Sequence, residues 1–202
     1  MIPGSVESIG DCAFNDCLSL ASIAILDGVV NIGDSAFGGC SITSIQIPDS
    51  VTSIGEGVFT ACVNLMSITV SNGNPVYCSQ DSCLIEIRTN TLVAGCKTSI
   101  IPEGVTKIAN NAFHSCEGVT SIVIPDGVTR IGSFAFYFCT GLTGIVIPDS
   151  VTAIGDFSFT YCEGLTDVYY TGTEQDWKSM GIESGNDFLL NATIHYNYVP
   201  ES

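Results

Sequence analysis

The chain has 202 residues, of which 46% are hydrophobic, and it carries a net charge of −16 from 21 acidic and five basic side chains. This length and apolar content allow one continuous core. Five Lys and Arg residues are too few to follow a phosphate backbone or to hold an anionic membrane surface, which argues against nucleic-acid binding and membrane adsorption. No apolar run approaches the roughly 18 residues that membrane insertion requires.

One sequence pattern recurs along the chain. Its clearest copies, at 47–55, 124–132 and 147–155, read Ile-Pro-Asp-(Ser/Gly)-Val-Thr-x-Ile-Gly, and each is followed by a small residue, a Phe and a Cys. All copies open with an Ile, and these openings are Ile2, Ile25, Ile47, Ile101, Ile124 and Ile147. A fixed period near 23 residues predicts a solenoid, because a unit this short buries its apolar side chains only against its neighbours.

Each unit contains two extended segments and a bend. In the third unit, 65–70 and 51–54 are rich in β-branched and apolar residues and are expected to be strands. Glu56 to Cys62 is expected to form one helical turn, and the Pro-Asp pairs are typical of tight turns. These elements predict an α/β repeat solenoid. A right-handed leucine-rich-repeat horseshoe with parallel β-sheets and short helical or 3-10 arms is favoured over other β-solenoids.

Two segments depart from the period. Residues 1–169 are predicted to form about seven units, with an enlarged unit at 70–100, and 170–202 to form a C-terminal capping segment. In that segment Thr173 is the expected N-cap of a helix with Asp176 at its third position. Trp177 is expected to cover the last coil, and Phe188-Leu189-Leu190 and Ile194-His195-Tyr196 are expected to finish the sheet.

Six of the ten cysteines share one repeat position, and Cys96 is assigned to the same column. Equivalent side chains on neighbouring turns lie about 5 Å apart, which is too far for a disulfide. Buried free thiols that bond to the backbone are therefore expected. A Cys78–Cys83 disulfide remains an open alternative.

No catalytic, cofactor or metal site is predicted. His114 is expected at an exposed variable position and His195 on a strand, and neither belongs to a recognisable catalytic motif. Carboxylates form two columns, one that includes Asp49 and Asp149 and another that includes Asp34 and Glu56. These are expected to be solvated turn residues, and calcium binding is the alternative.

Candidate binding residues are sought where the copies differ. Positions that hold small or polar residues in earlier units become aromatic in the last two, and the candidate cluster is Phe134, Tyr137, Phe138, Phe157 and Tyr161. Asp167 and Tyr169, on the presumed concave sheet, complete the candidate set. An exposed partner-binding patch is one interpretation, and packing beneath the next coil or the tail is the other.

The pattern Leu-x-x-Ile-x-Ile-Pro-x-x-Val-x-x-Ile-Gly-x-x-Ala-Phe-x-x-Cys resembles the BspA-like leucine-rich repeat family over about residues 2 to 169. The resemblance implies a bacterial cell-surface or secreted protein of a host-associated species. Its expected function is adhesion to a protein of the host or of a neighbouring cell, without catalysis. The alternative is a structural spacer that presents other domains of a longer chain.

The start of the sequence carries two further expectations. Met1 stands directly before Ile2-Pro3, in the middle of the pattern and without a signal peptide, so we expect a piece of a longer secreted chain. An uncapped first coil is expected to self-associate or to be poorly ordered.

Overall fold

A computed structural model describes residues 1–200 as a stack of coils. The strands, in chain order, are β1 (Ser8–Ile9), β2 (Asn31–Ile32), β3 (Ser44–Ile47), β4 (Ser53–Ile54), β5 (Ser67–Val70), β6 (Tyr77–Gln80), β7 (Cys83–Glu86), β8 (Thr91–Ala94), β9 (Lys107–Ile108), β10 (Ser121–Val123), β11 (Arg130–Ile131), β12 (Gly144–Ile147), β13 (Ala153–Ile154), β14 (Asp167–Tyr170), β15 (Gly181–Ile182) and β16 (Thr193–His195). Two short helices, α1 (Glu174–Ser179) and α2 (Asp187–Asn191), lie in the tail. No helix within residues 1–200 has the length and apolar character needed to cross a membrane.

Equivalent strands of successive coils pair in parallel and form two columns. The first column holds the short Val-Thr-x-Ile strands, in the orders β1-β2-β4 and β8-β9-β11-β13-β15. The second holds the Ile-x-Ile strands, in the orders β3-β5 and β10-β12-β14-β16. The register pairs equivalent residues of successive coils, for example Ile45 with Ile68 and Ile131 with Ile154. The predicted repeat solenoid with parallel sheets is confirmed.

The arms that join the two columns are runs of turns, whereas the sequence predicted a helical turn. In the arm at 132–139, the N–H groups of Tyr137 and Cys139 donate to carbonyls three residues back, both at 3.2 Å. The N–H groups of Phe134, Phe136 and Phe138 donate instead to the following coil, each at 2.9 Å. Because every second N–H is used by a neighbouring coil, the i to i−4 bonds of an α-helix cannot form.

The enlarged unit interrupts the stack. Its strands β6, β7 and β8 form an antiparallel meander, and β8 then pairs in parallel with β9. The Tyr77 hydroxyl accepts a hydrogen bond from the Ile54 N–H at 3.0 Å, at the edge of β4. The second column is not continuous here, since β5 and β10 belong to separate sheets.

The core is organised around the repeated Phe. Its rings stack in two series, Phe14-Phe37-Phe59 and Phe113-Phe136-Phe159, with centroids 5.2 to 6.1 Å apart. Gly95 stands between the two series, and a Cβ there would lie 2.1 Å from the Phe113 ring. The Phe113 ring therefore occupies the space that a side chain at position 95 would need.

The cysteine column bonds to the same framework. The thiols of Cys40, Cys62, Cys139 and Cys162 donate to the Phe carbonyl of the preceding coil at 3.0 to 3.1 Å. This confirms the prediction of buried thiols bonded to the backbone. Cys96 is buried as predicted, but its thiol contacts Thr98 Oγ1 at 3.4 Å, inside the enlarged unit. All ten cysteines are free, including Cys78 and Cys83.

The tail continues both columns. Thr173 is the N-cap of α1, as predicted, and it exchanges a reciprocal pair of hydrogen bonds with Asp176, while Trp177 is buried. The segment around Leu189 forms α2 and not a strand, so that part of the prediction is wrong, whereas the segment around Ile194 forms β16 beside β14 as predicted. A short apolar run fits a helix or a strand equally well, and here burial of Leu189 beneath the last coil decides for the helix.

Candidate partner-binding surface

The aromatic cluster, Phe134, Tyr137, Phe138, Phe157 and Tyr161, lies on two consecutive arms. Their backbones are held by the buried Phe136 and Phe159 rings and by the bonds between coils described above. The cluster therefore stands on a rigid support.

The structure brings the five side chains together. Phe134 stacks on Phe157 with ring centroids 5.3 Å apart, and Tyr137 meets Tyr161 edge to face at 5.4 Å. Phe138 meets Tyr161 at 5.7 Å. These separations are typical of favourable aromatic pairs, so the cluster forms one continuous surface.

Part of this surface is open to solvent. Phe138, Phe157 and Tyr161 are 38%, 40% and 45% exposed, while Phe134 and Tyr137 are half-buried. Phe157 also lies against the tail, where a Cβ on Gly185 would come within 2.2 Å of its ring. Packing under the tail thus involves one edge of the cluster, and the remainder faces outwards.

Four cluster residues have a left-handed backbone. The φ angles of Phe134, Phe138, Phe157 and Tyr161 lie between +56° and +59°. Earlier arms place smaller or polar residues at the same two positions, and these are Cys12, Asp16, Ser35, Gly39, Gly57, Ala61, Asn111 and Ser115. Bulky side chains rarely adopt this conformation, which costs roughly 1–2 kcal/mol per residue.

Asp167 and Tyr169, the other two candidates, lie away from the cluster on β14. His195 on β16 donates from Nε2 to Oδ1 of Asp167 at 2.8 Å, and its ring stacks on Tyr169 at 4.7 Å. The Tyr198 ring also packs against Tyr169, with ring centroids 4.8 Å apart. The hydrogen bond from His195 lowers the pKa of Asp167. These residues tie the tail to the sheet, and the predicted strand position of His195 is confirmed.

His114 is half-buried, so the prediction of an exposed position is wrong. Its ring lies 4.8 Å from that of Tyr137, and its Nδ1 is 2.9 Å from Ser115 Oγ. Burial lowers the pKa of His114, which leaves the imidazole neutral at pH 7. His114 therefore extends the aromatic surface to the preceding arm. The sequence signal for this role is that His114 occupies the same repeat position as Tyr137.

A cleft that sequence reasoning missed adjoins the cluster. The third and fifth units meet across the enlarged unit, and we call the space between them the seam cleft. One lobe of about 370 Å³ is lined by Glu56, Asn110, Asn111, His114, Ser133 and Phe134. A second lobe of about 300 Å³ shares Glu56 and Asn110 and adds Tyr77 and Glu86. The cleft thus combines carboxylates, amides and aromatic walls.

The carboxylate column that includes Asp34 and Glu56 accepts hydrogen bonds from backbone N–H groups. Asp11 Oδ1 accepts from the Asp34 N–H at 2.9 Å, and Asp34 Oδ1 accepts from the Glu56 N–H at 2.8 Å. Asp156 Oδ1 accepts from the Ser184 N–H at 3.1 Å and from its hydroxyl at 2.6 Å, and the hydroxyl bond is the main reason that its pKa is lowered. These carboxylates therefore join one coil to the next.

Stacked coils with a repeated framework and divergent exposed residues define a leucine-rich repeat solenoid. The chain belongs to the family described as the BspA type leucine-rich repeat region, whose model matches six copies over residues 1–97 and 94–183. A comparison with curated proteins gave no match.

Solved structures with the same fold come from several bacteria. A leucine-rich repeat protein from Eubacterium ventriosum is 28% identical with a TM-score of 0.71, over 80% of this chain and 44% of that one. A leucine rich cell surface protein from Faecalibacterium prausnitzii is 29% identical with a TM-score of 0.54, over 91% and 62%. The pneumococcal vaccine antigen PcpA, at 18% identity, shares the fold with a TM-score of 0.75 over 97% and 56%. The chain therefore spans less than two thirds of each.

Proposed function

We propose that the chain is a non-catalytic binding domain whose aromatic cluster docks a protein partner. The observation that supports this most directly is the left-handed backbone beneath Phe134, Phe138, Phe157 and Tyr161. Bulky residues occupy four positions whose backbone conformation disfavours them. Backbone strain of this kind concentrates at functional sites.

The chemistry of the cluster suits a protein interface. Tyr and Phe are enriched at such interfaces because they bury a large area with little loss of side-chain freedom. The arms beneath them are fixed by bonds between coils, so little ordering is required on binding.

The proposed setting is a bacterial cell surface or the extracellular medium, and the proposed partner is a protein of the host or of a neighbouring cell. Family membership supports this, as does the description of the Faecalibacterium relative as a cell surface protein. The alternative is a spacer within a longer chain, in which the cluster contacts no partner.

Binding to immobilised extracellular matrix proteins and to whole host and bacterial cells tests the proposal. Three chains are compared: the wild type, a Phe138→Asn/Tyr161→Asn double variant, and Val123→Thr. Asn suits a left-handed position, so the double variant removes two rings without disturbing the arms. Val123 is 55% exposed on β10, away from the arms, and provides the control.

We expect the wild type and Val123→Thr to bind at least one target, and the double variant to bind at least tenfold more weakly, a typical effect of removing interface hot spots. Equal binding by all three chains would exclude the cluster as the docking surface. Binding by none of them would favour the spacer.

A further inference from the structure

We propose that the seam cleft receives an arginine side chain of the partner that docks on the aromatic cluster. This inference rests on the proposed function and adds a charge requirement to it. Phe134 links the two surfaces, because it belongs to the aromatic cluster and also lines the seam cleft.

The cleft offers a negative charge. Asn110 Nδ2 donates to Oε1 of Glu56 at 3.2 Å, and Asn110 Oδ1 accepts from the Ser133 N–H at 3.0 Å. Asn110 therefore positions the Glu56 carboxylate, whose Oε2 receives no hydrogen bond from any residue in 1–200. One carboxylate oxygen thus remains free to accept from a ligand.

The walls of the cleft suit a planar cation. Phe134 and His114 are two aromatic residues that line the lobe that also holds Glu56. A guanidinium group stacks on aromatic faces and donates to a carboxylate at the same time, whereas an ammonium acts as a point charge. These features favour arginine over lysine.

No positive charge in the lining opposes a cation. Neither described lobe is lined by Lys or Arg. Burial lowers the pKa of His114, which favours its neutral form. Glu86 adds a second carboxylate in the adjoining lobe, and the net charge of −16 attracts cations generally.

Nuclear magnetic resonance titration with N-acetyl-arginine amide tests the inference, with N-acetyl-citrulline amide as the neutral isostere. We expect saturable shifts of the Asn110, Asn111, Ser133 and Phe134 signals with the arginine probe and none with citrulline. Glu56→Gln should weaken arginine binding by roughly threefold to tenfold, a typical effect of losing one charge partner beside an aromatic wall. Glu103→Gln, at an exposed corner, should leave it unchanged.

Equal shifts with citrulline, or shifts spread over all acidic corners, would overturn the inference. So would equal weakening by Glu103→Gln. The Phe138→Asn/Tyr161→Asn variant separates the two proposals, because neither residue lines the cleft and the probe should still bind. Probe binding without any protein partner would overturn the proposed function and leave only an arginine-binding cleft, whereas partner binding without probe binding would overturn only this inference.

Discussion

At the scale of single residues, the cysteine column shows a small apolar side chain with two uses. The buried thiols of Cys40, Cys62, Cys139 and Cys162 fill the corner beside the stacked Phe rings, and each also donates to a carbonyl of the preceding coil. Burial raises the pKa of Cys62, Cys83 and Cys162 to about 12. Since the thiolate is the reactive form, these groups are chemically protected.

Thiol titration provides the first prediction. At pH 8, a thiol of pKa about 12 is ionised in only about one molecule in 10⁴, and this fraction rises about tenfold per pH unit. In the native protein, the exposed Cys12 and Cys78 should therefore react quickly with a thiol reagent and Cys62 should not. Denatured protein without reductant should show ten reactive thiols. A total of eight would instead indicate a disulfide, with Cys78–Cys83 the first candidate.

Two buried asparagines hold the segments that depart from the repeat. Asn74 donates to the Pro48 and Val51 carbonyls at 2.8 and 2.9 Å, which fixes the enlarged unit to the third coil. Asn186 donates to the Gly155 carbonyl at 3.0 Å and accepts from the Phe159 N–H at 3.0 Å, which fixes the tail to the last coil.

Removing one of these amides should be costly. We expect Asn186→Ala to lower the free energy of unfolding by about 2–4 kcal/mol, because it leaves buried backbone groups without partners. Asn191→Ala, at an exposed site in α2, should change it by less than about 0.5 kcal/mol. Urea denaturation of both variants makes the comparison, and equal midpoints would refute a structural role for Asn186.

At the scale of elements, the stacked Phe rings connect successive coils through the core. Phe136 is fully buried between two rings of its series. Phe14 begins the other series and is half-buried, with one ring partner.

This difference in burial gives a third prediction. Phe136→Ala should cost about 3–5 kcal/mol in free energy of unfolding, the usual range for a large buried ring. Phe14→Ala should cost clearly less, since its ring has one neighbour in the stack. Thermal or urea denaturation would decide, and an equal cost for both variants would show that stacking is not what holds the coils.

Elements could be predicted from the sequence where the pattern that specifies them is local or repeats with a fixed period. The repeat spacing identified both strand columns, and the Thr173 and Asp176 pair identified the start of α1. The arms were predicted as helical because the turn pattern depends on bonds from a neighbouring coil, and no single unit contains that information. The comparison of repeat positions likewise identified the aromatic cluster. The same comparison of repeat positions could not identify the seam cleft, because Glu56 and Asn110 meet only once the enlarged unit has folded out of the stack.

At the scale of the whole molecule, the first coil is folded but incompletely covered. Ile2 pairs with Ile25 in an isolated parallel bridge, which places the first coil in the stack. Leu20 and Ile23 are half-buried, whereas the equivalent Leu142 and Ile145 are buried. This end of the stack therefore presents apolar surface.

We predict that the 202-residue chain self-associates through this surface. Because the net charge of −16 opposes association, higher salt should strengthen it by screening. Leu20→Lys should give a monomer in sedimentation velocity, and Leu190→Lys, at the opposite end, should not. A wild-type chain that stays monomeric at high salt would contradict the prediction.

Urea denaturation of the Phe138→Asn/Tyr161→Asn variant shows whether the aromatic cluster serves binding or folding. Relief of the left-handed strain should offset the loss of aromatic contacts, which are worth about 0.5–1.5 kcal/mol each. If the cluster serves binding, we expect a free energy of unfolding within about 1 kcal/mol of the wild type. A loss of more than about 3 kcal/mol would show that the rings are part of the structural core and would contradict that expectation.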